Sequence, residues 1–251
     1  MVRTERSTFL IAVAGHLSQD LEGRYGDFCK LTRQLLARDG QELQWECFYT
    51  CDGHFPSDGD LDSCKAIIIT GSPRDAFSQE EPEVRLQQLL KTAHARQLLL
   101  LGICFGSQAL ALALGGKAGR ARAGLEIGSK LMQPLSTLQQ QDYAPERASA
   151  SFQLHESHQD QIFEMPPGAT LFASSAKTPI EIWGLGSTVL GIQGHPEFST
   201  QFMRDLIAWR LEHRTATPDQ AKGAIAELDQ TPVSAADASF MQQLCQNFLN
   251  R

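Results

Sequence analysis

Leu98-Leu99-Leu100-Leu101-Gly102-Ile103-Cys104-Phe105-Gly106-Ser107-Gln108 is the stretch that decides the fold of this chain. An apolar run of strand length ends at a cysteine flanked by two glycines, and a helix-forming stretch over 109–114 follows at once. A strand that bends this sharply into a helix puts the residue at its apex in a tight turn. Glycines on either side remove the Cβ atoms that would collide there. The bend also sets the sulfur beside a helix N-terminus, whose dipole and free N–H groups favour thiolate over thiol. Cys104 is thus a candidate nucleophile; the competing reading is a buried structural cysteine at a strand end.

Working outward, strand and helix signals alternate. Apolar strands are expected over 9–14, 42–49, 66–70 and 98–103. Between them come a helix over 25–38, with Phe28, Leu31, Leu35 and Leu36 on one stripe and Gly40 as its stop, and a helix over 83–96. A Gly, Asp and Pro-rich loop is expected over 52–62. This β-α-β succession predicts a parallel sheet with right-handed crossovers. After Gly115-Gly116 the pattern shortens to extended pieces over 125–132, 151–155 and 170–174 and a hairpin of 180–183 with 188–193, with a polar loop over 139–150. Ser199 caps a helix over 200–210, and two weaker helices follow over 218–228 and 235–249.

The second decisive stretch is Leu190-Gly191-Ile192-Gln193-Gly194-His195-Pro196-Glu197-Phe198. It too is an apolar run delivering a polar residue at its end. Strands of one parallel sheet share an end, so residues at their C-terminal tips meet despite a large separation in sequence. His195 can therefore reach Cys104, with Glu197 placed to orient the ring and balance its cation. The other candidate base is His158, in His155-Glu156-Ser157-His158-Gln159-Asp160. That segment is one residue short of His-Glu-x-x-His and has no helical pattern, so it is not expected to hold zinc.

Gly102-x-Cys104-x-Gly106-x-Gln108 followed late by Gly194-His195-Pro196-Glu197 resembles the class I glutamine amidotransferase family over about residues 9–211. Ile69-Thr70-Gly71-Ser72-Pro73-Arg74-Asp75-Ala76 adds a finer similarity to its free-standing γ-glutamyl peptidases. Ser107 and the segment after about residue 213 match nothing in that pattern. The resemblance implies an α/β fold: an open, mostly parallel, flavodoxin-like sheet with helices on both faces and a small antiparallel addition. It implies residues 1–213 as the amidotransferase-like domain, with 214–251 expected as a helical extension packed on it. It also implies a Cys104-His195-Glu197 triad that cleaves a γ-glutamyl amide through a thioester. The oxyanion would lie between the backbone N–H groups of Gly71 and Phe105, and the glutamyl head against Gln108, Ser157, Gln159 and Asp160. No metal and no cofactor are expected.

Composition narrows the partners. A chain of 251 residues, 42% hydrophobic, can bury a sizeable core. A net charge of −7 supplies no basic stripe for nucleic acid. The six cysteines lack the density of a secreted scaffold, which predicts reduced thiols and a cytoplasmic setting. The apolar stretch after Arg3 and Arg6 is too short for a signal peptide and reads as a first strand, and no run reaches the roughly 20 apolar residues of a membrane span. The expected partner is a small γ-glutamyl substrate. Three uses of the site stay open: a self-contained hydrolase, a glutaminase feeding ammonia to a separate synthetase, and a non-catalytic binding or redox-sensing relative. No Gly-x-x-x-x-Gly-Lys-Ser/Thr signature is present, so the second would need another protein. The leaving group and the oligomeric state are not encoded in any pattern we can read.

Overall fold

The computed structural model of the protein describes residues 8–38 and 43–251. Its centre is a mixed nine-stranded sheet in the order β2-β1-β3-β4-β11-β10-β9-β6-β7. The strands β1 (Thr8–Val13), β2 (Gln44–Tyr49), β3 (Cys64–Ile69), β4 (Leu99–Ile103) and β11 (Val189–Ile192) run parallel. The strands β10 (Ile182–Leu185), β9 (Thr170–Ser174), β6 (Glu126–Pro134) and β7 (Phe152–His158) extend the sheet with antiparallel pairings. A separate two-stranded ribbon pairs β5 (Lys117–Arg120) with β8 (Asp160–Glu164).

The period-2 alternation of the central strands divides the core in two. Phe9, Ile11 and Val13 of β1, with Ala66, Ile68, Leu101, Ile103, Leu190 and Ile192, face one side. There they meet helices α1 (Gln19–Tyr25), α2 (Phe28–Leu36), α7 (Thr200–Glu212), α8 (Pro218–Gln230) and α9 (Ala235–Leu249). Leu10, Ala12, Ile67, Ile69 and Leu100 face the other, under α3 (Asp58–Ser63), α4 (Glu81–Ala95) and α5 (Phe105–Ala113). The last short helix, α6, is Ser136–Gln139. Phe240, Leu244 and Phe248 of α9 and Leu228 of α8 are buried in the same cluster as β1.

Four differences from the sequence reading have local causes. The helix expected over 25–38 is α2 alone and starts late, because Gly26 adopts φ 86° and Asp27 caps the chain by accepting from the Lys30 N–H; α1, which precedes it, was not anticipated. Gly40 and Glu42 lie outside the described residues. The loop expected over 52–62 contains α3, held by a reciprocal capping box between Ser57 and Asp60. Strands β5 and β8 were not anticipated; they are short and pair only with each other. Finally, the expectation of six reduced thiols fails at one pair. Cys29 on α2 and Cys47 on β2 form a disulfide with their Cα atoms 6.4 Å apart, within ordinary reach for that bond. Among the described residues no helix is long and apolar enough to cross a membrane.

Candidate active site

Register places the site. Gly102 of β4 lies level with Ile69 of β3 and Gly191 of β11, so Gly71, Cys104 and His195 all follow the C-terminal ends of three adjacent parallel strands. This is where open α/β sheets present their binding crevice. At the elbow Cys104 takes φ 51° and ψ −106°, a conformation that costs a non-glycine residue about 1–3 kcal/mol. The flanking glycines are needed for packing. A Cβ on Gly102 would lie 2.6 Å from the Ser107 nitrogen, and one on Gly106 would drive into the Ile69 backbone.

The imidazole meets the sulfur. Cys104 is near enough for its charge to raise the His195 pKa, and the His195 Nδ1 is 2.7 Å from Glu197 Oε1. Phe198 stacks on the ring at 4.1 Å between centroids and 4° between planes, and the His195 N–H donates to the His155 carbonyl at 2.8 Å. Both side chains of the His195–Glu197 pair are at most 4% exposed. Burial opposes the imidazolium, yet the charges of Glu197 and Cys104 and their hydrogen bonds outweigh it and push the His195 pKa up to about 10. Gly71 lies against this ring: a Cβ there would stand 2.8 Å from Cε1. Phe105 is the first residue of α5, where an N–H has no partner one turn back.

A small cavity of about 40 Å³ opens on the sulfur and is lined by Gln108, Ser157, Gln159 and Asp160 among others, so every residue expected to hold the glutamyl head borders it. Gln108 is already engaged, its Nε2 donating to the Asp160 carbonyl at 3.0 Å and to Gln193 Oε1 at 3.2 Å. Asp160 pairs with Arg120 at 2.9 Å. Its burial, opposed by Arg120 and reinforced by Asp75, pushes its pKa up to about 6. A second, larger cavity of about 290 Å³ adjoins the first along Ser72, Pro73, Ser157 and Arg210 and is walled by His195, Phe198 and Leu21. A wider depression of about 940 Å³ lies away from this chemistry, around Lys30, Arg33 and Trp45.

Two residues absent from the sequence reading belong here. Gln193 donates to the Cys104 sulfur at 3.6 Å; its place in the strand run before His195 was visible, but nothing marked its side chain as inward. Arg210 borders both cavities, and no local pattern distinguishes it from other helix arginines. His158 lines the small cavity but is turned to other work. Its Nδ1 is 2.9 Å from the Asp160 carbonyl and its Nε2 is 3.1 Å from Glu156, which leaves His195 as the imidazole on the sulfur. His155 and His158 are on a strand, three residues apart, and so point to opposite faces. Among the described residues one group could hold a metal ion: His16 Nε2 lies 3.0 Å from Asp52 and 3.5 Å from the Cys51 sulfur, at the rim of the larger cavity.

Fold and site together define a class: α/β proteins that carry an elbow cysteine, a histidine and a carboxylate at the C-terminal edge of a parallel sheet. The class I glutamine amidotransferase profile matches residues 27–210. The chain is 32% identical to gamma-glutamyl peptidase 5 of Arabidopsis thaliana over 98% of its own length and 96% of that protein, and 31% identical to gamma-glutamyl peptidase 4 over 98% and 97%. Among solved structures, a glutamine amidotransferase from Thermotoga maritima superposes with a TM-score of 0.73 at 20% identity, covering 98% of this chain and 99% of that one. This chain belongs to the class I glutamine amidotransferase family.

Proposed function

We propose that this protein hydrolyses the γ-glutamyl amide bond of small peptides or amines, using Cys104 as nucleophile and His195 with Glu197 as its acid–base pair. The observation that carries the reading is that adjacent parallel strands deliver Cys104 and the Glu197-bonded His195 to one edge, with the sulfur at a cavity bordered by Gln108, Ser157, Gln159 and Asp160. Similarity over nearly the full length of peptidases named for γ-glutamyl substrates supports the choice of bond.

The chemistry follows from the geometry. With Glu197 on Nδ1, the other ring nitrogen is left for the sulfur. His195 holds the thiol proton while the sulfur adds to the γ-carbonyl carbon. The carbonyl π electrons move to oxygen, where the N–H groups of Gly71 and Phe105 would receive the charge; each such donor typically contributes about 2.7–4 kcal/mol. Collapse breaks the C–N bond, the departing nitrogen takes the proton from His195, and a γ-glutamyl thioester remains. Water, losing a proton to His195, then attacks the thioester. Glutamate leaves, and the proton returns to the sulfur. Positioned proton transfer of this kind contributes about 10²–10⁴-fold. The carboxylate of Asp160 would receive the glutamyl ammonium group.

The test is direct. The purified chain is incubated with γ-glutamyl dipeptides, γ-glutamyl amines and glutamine, and the released amine is quantified. Turnover of a γ-glutamyl peptide by the lone protein, absent in Cys104→Ala, is the expected result. Turnover that appears only with a partner protein present would favour ammonia delivery to a separate synthetase. No release from any γ-glutamyl compound under either condition would end the proposal.

A further inference from the structure

Arg210 is the one guanidinium bordering the two cavities that is not committed to a carboxylate. Arg74 is held by Glu80 and Glu83. Arg210, in the last turn of α7, pairs with no carboxylate among the described residues, and its buried Nε has no hydrogen-bond partner. Burial disfavours its charge, and Cys104 is the group whose charge acts on it. Arg210 is half-buried, and a guanidinium whose Nε lacks a partner while its side chain borders a cavity is open to an incoming anion.

The cavities have sides. The smaller one is bordered by Cys104, Gln108 and Asp160 but not by His195; the larger one is bordered by His195 but not by Cys104. His195 must hand its proton to the departing nitrogen, so the leaving group lies on the imidazole side, in the larger cavity. Arg210 stands at the junction. A group there would border the first carbons of an amine that departs into the larger cavity. In an amino acid, that position carries the carboxylate.

We propose that Arg210 receives the carboxylate of a departing amino acid, and so selects γ-glutamyl amino acids over glutamine and simple γ-glutamyl amines. A planar fork of N–H donors suits a carboxylate bidentately. The walls of Leu17, Leu21, Phe28, Phe198 and Leu206 favour an apolar side chain on that leaving residue. This inference rests on the hydrolase reading above and deepens it.

The experiment compares γ-glutamyl-leucine with γ-glutamyl-isoamylamine, which is the same substrate without the leaving carboxylate. Wild type is expected to favour the first in kcat/KM by about 10- to 100-fold, the range of a hydrogen-bonded charge pair. Arg210→Gln should collapse that ratio towards one, Arg210→Lys should retain part of it, and neither should lower Tm, since no partner inside the protein is lost. Equal loss on both substrates, with the ratio intact, would assign Arg210 to the glutamyl head or to the scaffold and overturn the inference. Wild type that shows no preference would overturn it without any variant. Wild type inactive on both would instead overturn the hydrolase reading.

Discussion

Two sets of buried ionisable side chains lie close together in this protein, and they handle charge in opposite ways. The first is Cys104, His195 and Glu197, of which the sulfur and the imidazole border cavities and the carboxylate bonds the ring. The second is Glu126, Glu156 and Glu181 with His158, three carboxylates lying off the cavities between β6, β7 and the start of β10 and sharing one imidazole. In the first, matched signs keep the imidazole cationic despite burial. In the second, burial itself, followed by carboxylate repulsion, pushes Glu156 and Glu181 well above the usual carboxylate range, and burial pulls His158 down. Burial alone therefore does not mark a reactive site. Alternating charge at the edge of a cavity is what sets the first group apart and makes it the candidate.

The largest expected effect breaks the first set at its sulfur. Cys104→Ala should reduce amide hydrolysis by a factor on the order of 10⁵ or more, with the circular dichroism spectrum unchanged. The elbow adds a second readout. Because Cys104 holds φ 51°, Cys104→Gly should be equally inactive yet melt higher than Cys104→Ala, as relief of about 1–3 kcal/mol exceeds the entropy glycine adds to the unfolded chain. A lower Tm for the glycine variant would show that the bend is not strained.

Next comes the carboxylate. Glu197→Gln keeps the shape but removes the strongest influence raising His195, so burial should carry the ring's pKa downward and kcat should fall by about 10²–10⁴-fold. The imidazole proton resonances report the pKa across a pH titration. Stability follows with a definite sign. Since His195 titrates near 10 in the folded chain and near 6.5 when unfolded, its stabilisation is full below about pH 6.5 and fades towards pH 10. Wild-type Tm should decline over that window more steeply than that of the variant.

A smaller effect concerns the cavity floor. Asp160 titrates at about 6, because burial outweighs the opposing charge of Arg120. If its carboxylate receives the glutamyl ammonium group, kcat/KM should fall as pH drops through 6, and Asp160→Asn should lower kcat/KM by about tenfold or more while flattening that acid limb. An unchanged acid limb in the variant would assign the titration to another group.

Much of this was legible in the sequence, for identifiable reasons. The elbow announces itself because Gly102 and Gly106 answer a steric demand local to Cys104, and the parallel strands because their burial on both faces makes Ile67-Ile68-Ile69 and Leu98 to Leu101 unbroken apolar runs. His195 could be brought to Cys104 by topology alone. What could not be read depends on distant packing. The start of α2 could not be read, because the positive φ of Gly26 ends α1 ahead of the apolar stripe and Asp27 then caps α2. The Cys29–Cys47 pairing needs α2 laid beside an edge strand. Arg210 carries no motif, since what distinguishes it is that no carboxylate among the described residues pairs with it, a property of the folded surroundings and not of its neighbours in sequence.

The smallest effect sharpens the comparison from the side of the second set. Glu156→Gln keeps the volume of a side chain that is fully buried. Because Glu156 titrates above its unfolded value, the folded chain takes up a proton that the unfolded chain releases. The associated stability is present below about pH 4.5 and is lost progressively as pH rises towards the folded value. Glutamine carries no such proton and suffers no such loss. Relative to wild type, Glu156→Gln should therefore gain Tm between pH 5 and pH 8, by about 2–4 °C for each kcal/mol, with kcat changed far less than in Glu197→Gln. Calorimetry over that range checks the sign. A variant that melts lower at every pH would mean that Glu156 is ionised against His158, and the second set would then keep its charge as the first does.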